Sequence, residues 1–302
     1  MSVLQCGKTK ISKMFKLIEL KVLILKVLLK TDGNQMKLAL FVKKRSLAGD
    51  ARIDALRDGL AAGGCSLYDV KCTEDLEDGT DILLSLGGDG TFLSAARIVG
   101  SAGIPVLGVN FGRLGFLSEY KPDEVVESLL AGEYTVESRA LLKTEIIGAG
   151  ISDMALNEVT VHRNGAAMLG VDVSVDGESL PTCWADGLLV ATSSGSTAYS
   201  LSVGGPICMP DAKVLVIAPI APHNLNIRPL VVPENSSIEI SVTSRDREVM
   251  VTMDNRNVVL PTSVKLSVSV AQFSLNRIRL NKSNFIQALK SKLFWGEDVR
   301  NL

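Results

Sequence analysis

The alternation of apolar and polar residues changes near residue 134, and this change divides the chain into two parts. In the first part, short apolar runs of strand length alternate with segments in which apolar residues recur at helical spacing. The pattern predicts strands at 36–42, 65–70, 81–86 and 105–110, and helices at 49–64, 91–99 and 121–132. Because strands that alternate with helices form parallel sheets covered on both faces, we expect a Rossmann-like α/β domain over residues 36–134.

The second part has the period-two alternation of half-buried antiparallel strands. Segments of this kind occur at 135–148, 168–180, 236–244, 263–271 and 273–280. Asp176–Gly177 is typical of a tight hairpin turn, and no segment before about residue 283 predicts a helix. We therefore expect an antiparallel β-sandwich-like domain over residues 135–281. Helical spacing returns at the end of the chain, and we expect residues 282–302 to form a helix that packs back on the first domain.

Residues 1–35 precede the first predicted strand and have no clear place in either domain. The segment 15–30 is apolar, but Glu19, Lys21 and Lys26 interrupt it, so the pattern does not predict a membrane-spanning helix. An amphipathic surface helix and a dispensable extension both fit the pattern. We treat residues 1–35 as an extension of uncertain role.

Composition narrows the classes of partner. The chain has 302 residues, a formal net charge of −1 and 46% apolar residues, which is an ordinary globular balance. With so small a net charge, bulk electrostatics do not draw the protein to nucleic acid or to an anionic membrane, and we expect neither as a partner. The five cysteines contain no CxxC pair and no zinc-ligand spacing, which favours a reducing, cytoplasmic compartment.

A glycine-rich turn, LGGDGT, joins the predicted strand at 81–86 to a predicted helix that Thr91 opens. Its glycines let the backbone turn tightly and approach a ligand, and the start of a helix attracts an anion. The turn has neither the lysine of a Walker A loop nor GxGxxG spacing. Asp89 places a negative charge where phosphate is expected. The alternative is a plain tight turn in which Asp89 caps the helix.

The segment 184–206 is rich in small and hydroxyl side chains. Small residues leave room for a flat ring, and Tyr199 offers a face on which a base can stack. A serine hydrolase does not fit, because Ser196 does not lie in a GxSxG motif. The alternative is a glycine-rich turn region without a ligand.

Two further polar segments complete the candidate chemistry. Asn157 and Glu158 interrupt a strand pattern, and a carboxylate that accepts from two vicinal hydroxyls is the usual way to hold a ribose. An exposed edge pair is the alternative. The proline-rich segment 218–233 contains His223, for which a structural role is the first expectation, and Arg228, which suits either a phosphate or a surface acid.

In this order, these segments resemble the NAD kinase family. The matching residues are GGDGT at 87–91, Asn157–Glu158, the run from Asp186 to Pro206 that contains GSTAYSLSVGGP, and PHNLNIRPLVVP at 222–233. The resemblance covers the chain from about Met36 to its end. The GGDGT loop is shared with diacylglycerol, sphingosine and 6-phosphofructo kinases, whereas the later segments single out NAD kinase.

The resemblance implies ATP-dependent phosphorylation of the adenosine-ribose 2′-hydroxyl of NAD to give NADP. It also implies a site between two domains, NAD and ATP as partners, a homo-oligomer (dimer or tetramer), and a divalent cation, most commonly Mg²⁺. Asp89 resembles the general base of the family. The resemblance assigns phosphate binding to Gly87, Gly88, Gly90 and Thr91, and NAD binding to Gly90, Phe92, Asn157, Glu158, Asp186, Thr197, Ala198, Tyr199 and Ser202. It assigns no metal ligand.

Two departures from the family pattern put individual contacts in question. The family usually has a TPTG-like run where this chain has Thr192-Ser193-Ser194-Gly195, without the proline. A late DG element reads Asp254-Asn255 here, and we expect Asn255 to tolerate the left-handed backbone of the turn. Two alternatives to NAD kinase stay open from sequence: a lipid kinase of the same superfamily and a non-catalytic dinucleotide-binding regulator.

Overall fold

The apolar runs of the first part form the central strands of a mostly parallel sheet. The computed structural model describes residues 35–43, 47, 49–112, 115–281 and 283–295. The first elements are β1 (Lys37–Val42), α1 (Ala51–Ala62), β2 (Ser66–Val70), β3 (Ile82–Gly87), α2 (Asp89–Val99), β4 (Val106–Asn110), β5 (Ser118–Tyr120), α3 (Pro122–Leu130) and β6 (Tyr134–Arg139). Strands pair in parallel in the order β2-β1-β3-β4, and β5 is also parallel to β4.

Helices cover both faces of this sheet, as the alternating pattern predicts. Leu40 of β1 packs in one apolar cluster with Leu56 of α1 and Val125 of α3. Its neighbour Phe41 points to the other face and packs in the cluster that contains Phe92 of α2. Successive strand residues therefore bury opposite faces, which is why these strands read as continuous apolar runs.

The second part forms two antiparallel sheets. Its elements are β7 (Leu142–Ile147), β8 (Ile151–Ala155), β9 (Glu158–Arg163), β10 (Leu169–Val175), β11 (Glu178–Ser179), β12 (Cys183–Ala185), β13 (Gly187–Thr192), α4 (Tyr199–Ser202), β14 (Val214–Ile220), β15 (Leu230–Pro233), β16 (Ile238–Thr243), β17 (Glu248–Met253), β18 (Arg256–Pro261) and β19 (Lys265–Val270). One sheet has the order β11-β10-β16-β19-β7-β8, with β12 beside β10, and the other has the order β15-β14-β13-β9-β17-β18. A shared apolar core joins the two sheets, so the expected sandwich-like arrangement is confirmed.

The chain then returns to the first sheet. β20 (Leu275–Leu280) lies antiparallel to β6 and pairs in parallel with β4, and α5 (Phe285–Leu293) follows it. The architecture therefore differs from the expected boundaries, since β6 and β20 belong to the α/β sheet although their alternating pattern predicts the β domain. Both strands have charged residues at alternate positions. These residues pair across the two strands, as Arg279 does with Glu137 at 2.6 Å, and Arg139 and Arg277 are buried.

Local signals at turns are largely borne out. Asp176 and Gly177 both have positive φ values, 53° and 87°, and they join β10 to β11 as a tight hairpin. One expectation was wrong: residues 194–202 form a short 3-10 turn followed by α4, although no helix is predicted before residue 283. These helical pieces are four residues each, too short to show a helical period in the sequence.

Some expectations lie outside the described residues, including those for the segment 15–30. Among the helices that are described, none is long and apolar enough to cross a membrane. The described cysteines, Cys65, Cys72, Cys183 and Cys208, are free thiols.

Candidate functional site

The GGDGT turn lies at the carboxyl end of β3, where it leads directly into α2. Gly88 is the N-cap, and its carbonyl oxygen accepts from the N–H groups of Thr91 at 2.8 Å and Phe92 at 3.1 Å. The helix thus begins at Asp89, two residues before the predicted start at Thr91. A side chain at Gly87 would place its Cβ 2.8 Å from Thr91 Cβ, so this position has no room for one. The positive end of α2 therefore faces the turn, as a phosphate site requires.

The carboxylate of Asp89 is held by the loop that joins β4 to β5. Its Oδ2 accepts from the N–H of Phe116 at 2.8 Å, and its Oδ1 accepts from those of Leu117 at 3.1 Å and Ser118 at 2.9 Å. Gly115 lies flush against the carboxylate, since a Cβ there would fall 2.5 Å from Asp89 Oδ2. Asp89 is therefore not the helix cap, and its side chain is fixed in place by backbone groups.

Residues 115–118, which we call the Asp89 loop, were missed by sequence reasoning. The signal was present, because NFGRLGF follows a predicted strand and contains two glycines. Its backbone is itself supported: Asn110 donates its side-chain amide to the Ser118 carbonyl at 3.0 Å. Behind it, the side chains of Arg277 and Glu119 form a buried ion pair at 2.9 Å.

Asn157 lies between β8 and β9, Glu158 begins β9, and both are held by Asp254 from the turn between β17 and β18. The Asp254 carboxylate accepts from the N–H groups of Leu156 at 2.9 Å, Asn157 at 2.8 Å and Glu158 at 3.3 Å. Asn157 and Glu158 are only 7% and 8% exposed, so the alternative of an exposed edge pair is wrong. Asp254 has the left-handed φ of 51°, and the expectation that Asn255 carries it is also wrong.

Glu158 is a buried carboxyl group beside a second one. Burial, and next the charge of Asp254, raise the pKa of Glu158 to about 8, although a hydrogen bond from the Tyr199 N–H opposes the shift. Burial also raises the pKa of Asp254, which its three N–H donors oppose. We assign the negative charge of the pair to Asp254, because it has the donors. Glu158 Oε2 is fully buried and has no partner in the described part of the chain.

The small-residue segment packs directly on this carboxyl pair. Thr192 donates its hydroxyl to the Leu156 carbonyl at 2.6 Å and accepts from the Gly195 N–H at 3.1 Å. A Cβ at Gly195 would fall 2.8 Å from the Asn157 Cα, so glycine is needed for this approach. Where the family has proline, Ser193 donates its hydroxyl to the Pro210 carbonyl at 3.1 Å. Hydrogen bonds thus stabilise the segment without the proline.

Tyr199 and Asp186 lie near each other on one side of the same region. The Tyr199 ring stacks on the His162 ring, with centroids 5.8 Å apart and an angle of 17° between planes. Asp186 forms an ion pair with Arg163 at 2.8 Å. Burial lowers the pKa of His162, and the nearby charge of Asp186 opposes this. His162 is thus a neighbour of Tyr199 that sequence reasoning left without a role.

The turn that carries Asp254 also contacts the GGDGT turn. Asn255 Nδ2 lies 3.5 Å from the Gly90 carbonyl oxygen, and the Ser94 hydroxyl donates to the same oxygen at 3.1 Å. Lys43 at the end of β1 donates to that hydroxyl at 2.9 Å. The two polar motifs therefore meet at one junction between the sheet of the first domain and the sandwich of the second.

A cavity of about 390 Å³ opens beside this junction. Four cationic side chains line it, together with Ser94, Glu74 and Asn255; the cations are Lys43, Lys71, Arg97 and Arg256. Arg256 is also paired with Asp153 at 2.9 Å. The charge of this wall suits a polyanion that reaches toward the start of α2.

The remaining sequence-assigned residues lie in different surroundings. Phe92 is 0% exposed and packs in the core under α2, so it does not line the site. Arg228 donates to the carbonyls of Leu225 and Ile227 in its own loop. Ser202 ends α4 with an exposed side chain. Thr197 and Ala198 are half-buried and connect the 3-10 turn to α4.

Comparison with known proteins decides the family. The ATP-NAD kinase N-terminal domain matches residues 20–134, and the ATP-NAD kinase C-terminal domain matches residues 156–280. This chain belongs to the NAD kinase family. The N-terminal match begins before Met36, so it includes part of the segment treated above as an extension.

Relatives in the NAD kinase family match over most of their length. The NAD kinase of Flavobacterium psychrophilum is 42% identical over 236 residues, which cover 76% of this chain and 80% of the relative. The NAD kinase of Bacteroides fragilis is 41% identical over 226 residues, which cover 73% of this chain and 78% of the relative.

Two solved structures have the same fold. Yeast NADH kinase complexed with NADH superposes with a TM-score of 0.76 at 25% identity, covering 89% of this chain and 91% of that one. An NAD kinase from Archaeoglobus fulgidus in complex with ATP superposes with a TM-score of 0.68 at 27% identity, covering 82% of this chain and 95% of that one.

Proposed function

We propose that this chain transfers the terminal phosphoryl group of ATP to the 2′-hydroxyl of the adenosine ribose of NAD, giving NADP. One observation carries the proposal: the Asp89 turn, with the start of a helix, meets the Asn157–Glu158 pair at the contact between Asn255 and Gly90. A donor site and an acceptor site thus share one junction. Membership of the NAD kinase family supports the same activity, and no observation favours the lipid kinase or the regulator.

We assign ATP to the basic cavity beside α2. Lys43, Lys71 and Arg97 offset the charge of a triphosphate, and the N-terminus of α2 binds its terminal phosphate. Gly87 and Gly90 keep this approach free of side chains. Glu74 is the one carboxylate among the described residues that line the cavity, so most of the positive charge of the wall remains to balance the charge of the phosphates.

We assign the adenosine ribose of NAD to the side of the junction where Glu158 lies. Glu158 Oε2 is a buried carboxyl oxygen that has no protein partner among the described residues, and a ribose hydroxyl would supply one. Tyr199, already stacked on His162, offers an aromatic face for a base. Asn157 lies next to Glu158, packs against Gly195 and completes the polar wall.

Asp89 is placed to act as general base. Its Oδ1 accepts two hydrogen bonds and its Oδ2 accepts one, so Oδ2 keeps an acceptor position. In the reaction, the 2′-oxygen forms a bond to the terminal phosphorus while the bond from that phosphorus to the bridging oxygen of ADP breaks. The hydroxyl proton passes to Asp89. A positioned base of this kind contributes about 10²–10⁴-fold to the rate.

The residues present fit a divalent cation that arrives with ATP. Within the described residues, no group of three histidine, cysteine, aspartate or glutamate side chains forms a ready metal site. Mg²⁺ keeps several waters and is commonly held by substrate phosphates with one or two carboxylates. Glu74 is the carboxylate of the cavity wall that would assist. When bound, the cation neutralises charge on the phosphates.

The direct test is to incubate the purified protein with NAD, ATP and Mg²⁺ and to measure NADP. We expect NADP to form in equal amounts with ADP. Parallel incubations with diacylglycerol in place of NAD test the lipid kinase. Binding of NAD without any ADP formation would support the regulator and contradict the proposal.

We also propose that the chain forms a homo-oligomer through an apolar patch near Asp186. Trp184 and Leu225 are 47% and 81% exposed, and the His223 N–H donates to the Trp184 carbonyl at 2.8 Å, so the two segments adjoin. Exposed apolar groups of this size mark interfaces. Light scattering should show that Trp184→Ser lowers the assembled mass, whereas Ile147→Ser, at an exposed position of β7 away from this patch, does not. A monomeric wild type would contradict the proposal.

A further inference from the structure

Lys292, near the end of α5, reaches the back of the Asp89 loop. Its side chain is only 7% exposed. The ammonium donates to the Gly115 carbonyl, lies 3.7 Å from Glu119 Oε1, and sits 4.7 Å from the centre of the Phe116 ring. A lysine from the C-terminal helix thus contacts the loop at Gly115 and Phe116, and also contacts Glu119, which follows the loop.

The contacts of Lys292 and those of Asp89 are made by the same short loop. Gly115 presents its carbonyl to Lys292, and the next three residues present their N–H groups to Asp89. Phe285, at the start of α5, also packs on the Phe116 ring, with centroids 6.2 Å apart. Movement of α5 would therefore move the donors that fix the Asp89 carboxylate.

Packing alone does not require a charged side chain at Lys292. Burial lowers the pKa of Lys292, while the charges of Glu119 and Asp89 raise it and that of Arg277 lowers it. Among the residues that the structure describes, these three groups, from β5, α2 and β20, are the charged groups that face the ammonium. Glu119 already has Arg277 as a partner at 2.9 Å. An apolar side chain would pack here at less desolvation cost. Because Glu119 has Arg277, we assign the buried ammonium to the other carboxylate near it, that of Asp89.

We propose that Lys292 is a positioning residue for phosphoryl transfer, which holds the Asp89 loop in place and keeps a positive charge close to the Asp89 carboxylate. The C-terminal helix thereby becomes part of the catalytic apparatus. This inference rests on the proposed role of Asp89 as general base. It predicts an effect on turnover and its pH dependence, and little effect on substrate affinity.

The test compares Lys292→Met, Lys292→Arg and Lys290→Met, with Asp89→Asn measured alongside. Lys290 lies on the same helix with an exposed side chain, so it is the matched control. For each folded variant, kcat and KM for NAD and ATP are measured from pH 5 to 9, and thermal melting checks the fold. Lys292→Gln provides the same test of lost charge if the methionine variant does not fold.

We expect Lys292→Met to lower kcat by about 10-fold or more, because a small misplacement of a catalytic group is costly. The acidic limb of the kcat profile should move to higher pH in this variant, since a cation next to a carboxylate favours the ionised form. KM values should stay within about threefold, and Lys292→Arg should recover most of the turnover.

Three results would overturn the inference, and they are distinguishable. If Lys292→Met keeps the kcat and pH profile of Lys290→Met while Asp89→Asn is impaired, Lys292 is not a positioning residue although Asp89 keeps its role. If Asp89→Asn retains full turnover, the proposed role of Asp89 fails, and the inference about Lys292 fails with it. A variant at Lys292 that raises only KM would also contradict the inference.

Discussion

The backbone N–H of Asn157 donates to the carboxylate of Asp254 at 2.8 Å, and this bond ties the candidate ribose site to a turn almost a hundred residues later. Asp254 also has φ of 51°, a conformation that asparagine and glycine accept more readily than alanine. We expect Asp254→Asn to be mild, because it keeps one acceptor oxygen and the turn.

Asp254→Gly separates the two roles of this residue. Glycine keeps the backbone conformation but leaves buried N–H groups without an acceptor, which costs about 2 kcal/mol or more. We expect Asp254→Gly to lower the unfolding free energy by that amount and to raise KM for NAD, as measured by denaturant unfolding and steady-state kinetics. Equal stability of the asparagine and glycine variants would show that the acceptor is unimportant.

Gly115→Ala should disable the site while the matched change Gly112→Ala should not. A Cβ at Gly115 would fall 2.5 Å from Asp89 Oδ2, whereas one at Gly112 meets no atom within 4 Å. The alanine at 115 must displace either the loop or the carboxylate, so we expect turnover to fall by about 10²-fold. Near-normal kcat in Gly115→Ala would mean that the contact between the loop and Asp89 is not needed for catalysis.

Glu158 should make stability depend on pH. Its pKa in the folded protein is raised from 4.5 to about 8, so the neutral form is favoured by folding. The stability that this group contributes is fully present below its unfolded pKa and is lost as pH rises toward its folded pKa. The free energy of unfolding of the wild type, measured with urea, should thus fall between about pH 5 and 8. Glu158→Gln should show a smaller decline, and parallel curves would contradict the assignment.

Glu158→Gln should also weaken NAD binding before it slows the reaction. The change removes an oxygen that we assign to a ribose hydroxyl, and it leaves Asp89 and the ATP cavity unchanged. We expect KM for NAD to rise severalfold, with KM for ATP close to that of the wild type. An unchanged KM for NAD would argue against the ribose role.

The fold was largely predictable from the sequence because its signals are local. The apolar run that forms β3 and the helix signals at Pro122 each lie within one element. Phe92 shows where the family resemblance misled. With Ala95, Ala96 and Val99 it has the helical spacing of a buried face, and the structure places all four in one core cluster.

The rest of the site depends on contacts between distant residues. The Asp89 loop lies 27 residues from Asp89 at its nearest contact, and Lys292 lies 177 residues from Gly115. Contacts between residues so far apart in the chain leave no periodic pattern in the sequence. The placement of β6 and β20 was missed for a related reason, since the two strands pair antiparallel with each other and alternate as the strands of the second domain do.

The central claim is that Asp89 takes the proton from the NAD ribose while ATP supplies the phosphoryl group. The most direct measurement is NADP formation by Asp89→Asn and wild type in the presence of Mg²⁺ and ATP, with NAD binding measured by calorimetry. We expect the variant to bind NAD with nearly wild-type affinity and to form NADP at least about 10²-fold more slowly. Unchanged turnover in the variant, or no NADP from the wild type, would contradict the account.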